Sequence, residues 1–389
     1  MAALTTSRGR WLRRLAAGAF LAMPALTVWN LAVPSHAVRI GPALVGVTQE
    51  VPFDLSLHGF LDGALQKAAA LRIADAMPLR RTLIRLNNQI AYSLFGEITA
   101  PGLLIGRDGE LVQRSYLEEY CSRTIGQADA MADAAIPLLR DIQAFYRGRG
   151  GGFLYIVTPS KVADMPDKFT HLMTCPSTPQ ARAELVPAYV ARLRAAGIEV
   201  VDAASSTHAR QHGDAVEPFP RGGIHWNELA MARASRQIVD AVNAQVGREL
   251  LPPFSFTARI VRPAEGRDRD LAELANLLVA PIDYPAPKLT YSHPPCAGRE
   301  ATRIDAAIVG TSFVDPVSEV LTEQACLTRL GQYFYLKLGR SRGGVRQDHL
   351  SEADLREVRD VDLMLLEENE SLIGRQQYLS LLHQIVTTP

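Results

Sequence analysis

The sequence predicts an α/β fold with a mostly parallel central sheet covered by helices on both faces. Three observations carry this. Strand-like and helix-like segments alternate from about residue 126 to the end of the chain, as they do when parallel strands are joined by crossover helices. The run Phe153-Leu154-Tyr155-Ile156-Val157 is apolar without a break, which suits a strand buried on both faces. Candidate strands also end on polar or hydroxyl-bearing turns, at Lys161, Asp202, Ser312 and Glu367 or Glu368. Ligands of open α/β sheets bind at such carboxyl ends.

The N-terminus precedes this pattern. Arg8, Arg10, Arg13 and Arg14 lead into an apolar run from Leu15 to Val33, broken by Pro24 and Asn30, and Ser35-His36-Ala37 follows as a small-x-small site. A charged start, an apolar stretch and a cleavage-type site form an export signal. The run is also nearly long enough to stay as a membrane anchor. Residues 1–37 are therefore expected to be a signal or anchor, 38–100 a lead-in with helices, and 101–389 the catalytic domain. Either fate of the N-terminus puts the chain outside the cytoplasm, and an uncleaved run would anchor it to the membrane.

Residues 38–60 have little periodicity. Leu79, Leu83, Leu86 and Ile90 then recur at helical spacing. Two short apolar runs flank Asp108-Gly109 within residues 102–112, a hairpin signal. A helix over 126–147 ends at the glycines around Gly150, and the strand 153–157 closes at Thr158-Pro159-Ser160-Lys161. Further on, the pattern predicts a helix over 180–196, a strand over 197–202 and a helix over 228–246. Residues 251–300 are rich in proline and charge, with a short helix near 270–278. A strand over 304–309 runs into a turn and a helix. A last strand over 360–366 precedes Glu367-Glu368-Asn369-Glu370, which is expected to open a C-terminal helix.

The 389 residues are 47% hydrophobic and 21% charged, with zero formal net charge. That composition supports a full core and argues against nucleic acid as a main partner. Cys121, Cys175, Cys296 and Cys326 have no CxxC spacing, so no metal site is expected. In an oxidising compartment they read as one or two disulfides, such as Cys296–Cys326 and Cys121–Cys175, with three connectivities open. Buried reduced thiols are the alternative. Phosphate-loop and dinucleotide fingerprints are absent, and no cofactor is implied.

The chemistry centres on two stretches. In Gly310-Thr311-Ser312-Phe313, a strand-to-helix turn presents one hydroxyl, and the N–H groups around Gly310 and Thr311 sit where an oxyanion could be held. Helix capping is the structural alternative for Ser312. A serine hydroxyl needs a base, and His225, in Gly222-Gly223-Ile224-His225-Trp226-Asn227, is the histidine in a comparably pointed context. Packing or capping would explain His225 equally well. Trp226 reads as core or as a stacking wall for a sugar. Lys161 reads as a substrate contact or a strand closure.

In order along the chain, these features resemble the AlgJ/AlgX-like polysaccharide O-acetyltransferases. The N-terminal signal or anchor comes first, then Pro78-Leu79-Arg80, Leu94-Phe95-Gly96 and Ile105-Gly106-Arg107-Asp108-Gly109-Glu110-Leu111. Pro159-Ser160-Lys161, Gly223-Ile224-His225-Trp226-Asn227 and Gly310-Thr311-Ser312-Phe313 follow. The resemblance covers roughly residues 55–389. It implies an SGNH-hydrolase-like three-layer fold with circularly permuted motif order, histidine before serine. It also implies acetyl transfer to an exopolysaccharide through Ser312 and His225, with the donor supplied by a membrane-bound acyltransferase. The family's acid lies two residues before its histidine, where this chain has Gly223. Asp202, Asp214 and Glu217 are the candidate replacements. Acetylester hydrolysis, or a glycan-binding scaffold without strong catalysis, are the alternative functions.

Overall fold

The structure, a computed structural model, describes residues 7–46, 52–209, 215–292, 304–327, 329–340, 346–375 and 377–388. It divides into two compact units, Met1–Pro101 with Ala272–Pro281, and Gly102–Leu271 with Ile282–Pro389.

In the first unit, one helix runs over Ser7–Ala32, and its Arg13–Ala32 stretch is long and apolar enough to cross a membrane. Asn30, which interrupts the apolar run, is 4% exposed. Its side-chain amide donates to the carbonyls of Ala76 (2.7 Å) and Val38 (2.9 Å). The helical periodicity of residues 61–95 resolves into Ala64–Ala76 and Arg80–Ile90. The break falls at Met77, which is extended because the following Pro78 disfavours helical backbone before it.

Among the described residues the second unit carries eleven strands. In chain order they are β1 (Leu103–Ile105), β2 (Leu111–Gln113), β3 (Gly152–Thr158), β4 (Val200–Asp202), β5 (Ser255–Val261) and β6 (Ala286–Ser292). The remainder are β7 (Ala306–Gly310), β8 (Leu330–Phe334), β9 (Leu338–Arg340), β10 (Arg346–Gln347) and β11 (Leu363–Asn369). β1 and β2 form the hairpin expected around Asp108-Gly109, where both residues have positive φ.

The central sheet has seven strands in the order β10-β9-β8-β7-β11-β3-β4. Pairing is parallel from β8 through β7, β11 and β3 to β4, and antiparallel at β8–β9 and β9–β10. Alternate residues of β3, β7 and β11, such as Tyr155, Val309 and Leu366, face a core shared with the helices Ala128–Gly148, Leu185–Ala195 and Gln377–Thr387. Leu139, Ile142 and Leu193 there are fully buried, each worth about 1.5–3 kcal/mol. The helices Glu228–Val246 and Val314–Glu323 cover the opposite face. This is the three-layer α/β architecture the sequence predicts.

Three differences have physical reasons. Glu367-Glu368-Asn369 does not open a helix. It continues β11, and the C-terminal helix begins at Gln377. Both glutamates are 1% exposed and are satisfied inside the sheet: Thr158 donates to Glu367 and Tyr155 to Glu368. Residues 251–300 contain the antiparallel pair β5–β6 besides a short helix, Asp270–Leu274. The edge strands β8 to β10 carry polar and glycine residues that mask their period. Of the cysteine pairings considered, Cys121–Cys175 is formed. Cys326 is also in a disulfide, and Cys296 lies outside the described residues.

Burial pushes the Glu368 carboxyl up to about 7, with the Tyr155 hydrogen bond opposing and Glu367 adding to the rise. The folded chain thus holds this proton more tightly than the unfolded one. The stabilisation is complete below the unfolded value near 4.3 and is lost as pH rises through about 7. Glu368→Gln removes this dependence. Its stability relative to wild type is expected to rise between about pH 4.5 and 8 by roughly 3 kcal/mol, read by denaturant unfolding. Parallel curves for the two proteins would contradict the assignment.

Candidate active site

β7 is buried along its whole length and lies between β11 and β8, so the position at which the chain leaves it is rigid. Beyond Gly310 a tight turn begins the helix Val314–Glu323, with the N–H of Val314 donating to the Thr311 carbonyl (3.2 Å). A Cβ at residue 310 would collide with the Glu367 carboxylate and would lie 2.7 Å from Val314 Cγ1. Glycine at this position lets Glu367 reach the turn, where it accepts from the Thr311 N–H (2.7 Å) and hydroxyl (3.0 Å). Ser312, half-buried, follows at the tip.

His225 stands just before the helix Glu228–Val246, whose first turn is capped by Asn227 Oδ1 accepting from the Ala230 N–H at 3.0 Å. Its Nε2 lies 2.8 Å from Ser312 Oγ, and its Nδ1 lies 2.5 Å from Asp270 Oδ2. The other oxygen, Asp270 Oδ1, accepts from the N–H groups of Ile224 (2.9 Å) and Leu271 (2.7 Å). A carboxylate only accepts, so Nδ1 carries a proton; in the neutral tautomer Nε2 is then free to accept from the Ser312 hydroxyl. The Phe313 ring packs 4.9 Å from the imidazole and 6.3 Å from Trp226. The arrangement places a serine, an imidazole and a carboxylate in one hydrogen-bonded line, the order of a catalytic triad.

The candidate acids from the sequence are corrected here. Asp202 caps the helix Ala203–His208 through the Ser205 N–H (2.8 Å). Glu217 offers its main-chain carbonyl to Asn227, and Asp214 lies outside the described residues. The carboxylate on His225 is Asp270, 45 residues further along. Gly223 accounts for the exchange: a Cβ there would lie 2.7 Å from Pro220 Cγ and 3.2 Å from the carbonyl oxygens of both Arg267 and Asp268. Where the family pattern puts its acid, this chain leaves space for a segment that brings an acid from elsewhere.

Lys161 is fully buried, so it is no substrate contact. Its Nζ pairs with Glu110 (3.0 Å) and donates to the carbonyls of Pro220 (2.7 Å), Arg221 (3.0 Å) and Gly223 (2.9 Å). It thereby secures the turn that leads to His225. Trp226 is 2% exposed and belongs to the packing behind the imidazole. The Thr311 N–H is committed to Glu367 and so cannot serve an oxyanion, contrary to the expectation from sequence, while Gly310 supports the turn by admitting that carboxylate. Glu367 and Tyr335 were not foreseen as site residues. Burial pushes Glu367 up to about 7, against hydrogen bonds from Thr158 and Thr311 and the proximity of His225. Tyr335 stands beside the same turn, its hydroxyl raised by burial and by Glu367, with the Ser312 N–H opposing. Among the described residues, no group of three or more histidine, cysteine or acidic side chains is placed to hold a metal.

Gly223→Ala tests the close approach. The added methyl group should cost about 1–3 kcal/mol of stability and displace Asp270 from His225, which an unfolding titration and a crystal structure of the variant would read. An unchanged stability with the His225–Asp270 contact intact would contradict it.

Residues 103–318 match the family model of the SGNH hydrolase-like domain of the acetyltransferase AlgX. Similar solved structures include the O-acetyltransferase domain of Pseudomonas putida AlgJ, at 17% identity with a TM-score of 0.45 over 74% of this chain and 100% of that one. Pseudomonas aeruginosa AlgX is 14% identical, with a TM-score of 0.45 over 74% of this chain and 66% of that one. Bacillus cereus PatB1 is 9% identical, with a TM-score of 0.40 over 64% of this chain and 92% of that one. No curated protein sequence matches the chain significantly. With its family match spanning more than half of its length, the chain belongs to the AlgX acetyltransferase family with an SGNH hydrolase-like domain.

Proposed function

We propose that this protein is an exported O-acetyltransferase that modifies an exopolysaccharide through an acetyl-Ser312 intermediate. The observation that carries the proposal is the unbroken hydrogen-bonded chain Ser312–His225–Asp270, together with membership of an acetyltransferase family.

In the first half-reaction, Ser312 Oγ attacks the acetyl carbonyl carbon as its proton passes to His225 Nε2. The imidazolium is stabilised by Asp270, already hydrogen-bonded to Nδ1. Collapse of the tetrahedral species breaks the bond to the donor's oxygen, which leaves with the proton from Nε2. In the second half-reaction, His225 takes the proton of a sugar hydroxyl, whose oxygen attacks the acetyl-serine. Ser312 departs and recovers the proton. Asp270 needs no proton of its own in this cycle.

The donor is proposed to be a membrane-bound acyltransferase partner. The N-terminal helix is proposed to hold the catalytic unit at the periplasmic face of the inner membrane, consistent with the span Arg13–Ala32. Water in place of the sugar would make the same site an acetylesterase. Gly223 favours a catalytically weak scaffold as the other reading, and the contact of Asp270 with His225 supports catalysis over it.

The test uses the purified full chain with a chromogenic acetyl ester, with and without oligosaccharide acceptors. Ser312→Ala should abolish turnover, and Asp270→Asn should lower kcat by about 10²–10⁴-fold by presenting the wrong partner to Nδ1. Acetylated oligosaccharide should accumulate with wild type. Turnover unaffected by either substitution would overturn the proposal, and acetate as the sole product at saturating acceptor would favour the esterase.

A further inference from the structure

Beside Trp226 the second unit holds an open cavity of about 340 Å³, whose lining does not include Ser312, His225 or Asp270. Its walls come from the helices Glu228–Val246 and Val314–Glu323, the hairpin β5–β6 and the turn Gly266–Arg269. That volume is in the range of small-ligand sites. The mechanism above makes no use of it.

Three features describe what it suits. Met231, Val261, Ala286, Pro287, Pro316 and Val320 provide apolar wall, on which the C–H faces of a sugar ring can pack. Two polar groups of the wall, the indole N–H of Trp226 and the hydroxyl of Tyr291, are buried with no hydrogen-bond partner among the described residues. A buried donor left unsatisfied costs about 1–3 kcal/mol, so a ligand that accepts from it gains by doing so. Glu228 and Asp268 line the same cavity as acceptors, so a fitting ligand must both donate and accept. Hydroxyl groups do both.

Charge narrows the class. Five acidic side chains line the cavity: those two, whose pKa values burial raises (Asp268 to about 7), with Glu265, Glu319 and Glu323. The cations among the lining residues are already paired, Arg267 with Glu319 (2.6 Å) and Asp315 (3.0 Å), and Lys288 with Glu265 (3.1 Å). A uronate or other acidic sugar would enter against this field, with no unpaired cation among the described lining residues to meet it.

We propose that this cavity is a glycosyl-binding site, separate from the Ser312 centre, for sugar units that bear no acid group. The inference rests on the acetyl-transfer reading only for its biological setting, since it makes non-uronate polysaccharide the acceptor class. Asp268 lines the cavity two residues from Asp270, so occupancy of the site and the position of the carboxylate on His225 share one short segment.

The experiment titrates the full chain with neutral tetrasaccharides derived from cellulose, dextran and galactan, and with oligouronates of equal length, using saturation-transfer NMR and calorimetry. A neutral oligosaccharide should bind. Tyr291→Phe should weaken it about fivefold, Gln324→Trp should abolish binding by filling the cavity, and oligouronate should not compete. Thermal melting of each variant confirms the fold. The proposal is overturned if no neutral oligosaccharide binds, if both variants bind as wild type does, or if the oligouronate binds more tightly. Ester turnover by wild type is scored apart from this. Turnover without neutral-sugar binding would retain acetyl transfer and discard the cavity's role. Binding at the cavity without turnover would do the reverse.

Discussion

An imidazole can act on a serine hydroxyl only if one particular nitrogen is held towards it, and the 2.5 Å contact of Asp270 with His225 Nδ1 turns Nε2 to Ser312. The contact depends on backbone packing. Residues 267 and 268 approach residue 223 so closely that a methyl group would meet both of their carbonyl oxygens, and the two main-chain N–H groups on Asp270 Oδ1 fix the carboxylate's rotation. Lys161 secures the other side of the same turn through three carbonyls and Glu110. The acid of this family's pattern is thus replaced by a different carboxylate arriving from a different segment.

The Ser312 turn rests on a second buried acid. Glu367 lies under Gly310, takes the N–H and hydroxyl of Thr311, and receives the Thr158 hydroxyl from the neighbouring strand. It joins β11, β7 and β3 at their carboxyl ends, so the sheet itself sets the height of Ser312. Burying a carboxylate is costly unless it is fully hydrogen-bonded, and the partners gathered around Glu367 reflect that cost. Glu368, next in sequence, points to the opposite face towards Tyr155 and is satisfied separately. Strand alternation therefore divides two adjacent glutamates between the site and the core.

How much of this was legible follows from where the information lies. Ser312 and His225 stand in local patterns, a strand-to-helix turn and a helix entry, and the structure brings them within 2.8 Å. Phe153 to Val157 identified a central strand because both of its faces are apolar. Asp270 has no such signature. It sits in a proline- and charge-rich stretch, and its partnership with His225 is a tertiary fact set by Gly223, a residue whose informative property is having no side chain. Glu367 to Glu370 looked like a helix opening because a run of acids is ordinarily solvated. Local pattern fails where a functional site buries polar groups. The strands β8 to β10 were missed for a plainer reason, since Gly331, Gln332 and Gly339 interrupt their apolar period.

The central claim is that Ser312 carries the acyl group, activated by His225 and Asp270. The most direct measurement is peptide mass spectrometry of the full chain quenched soon after mixing with an activated acetyl ester. The account predicts one acetyl group on the peptide containing Ser312, appearing with wild type and strongly retarded in His225→Ala. An acetyl group confined to another residue, or labelling of Ser312 at the same rate without His225, would contradict it.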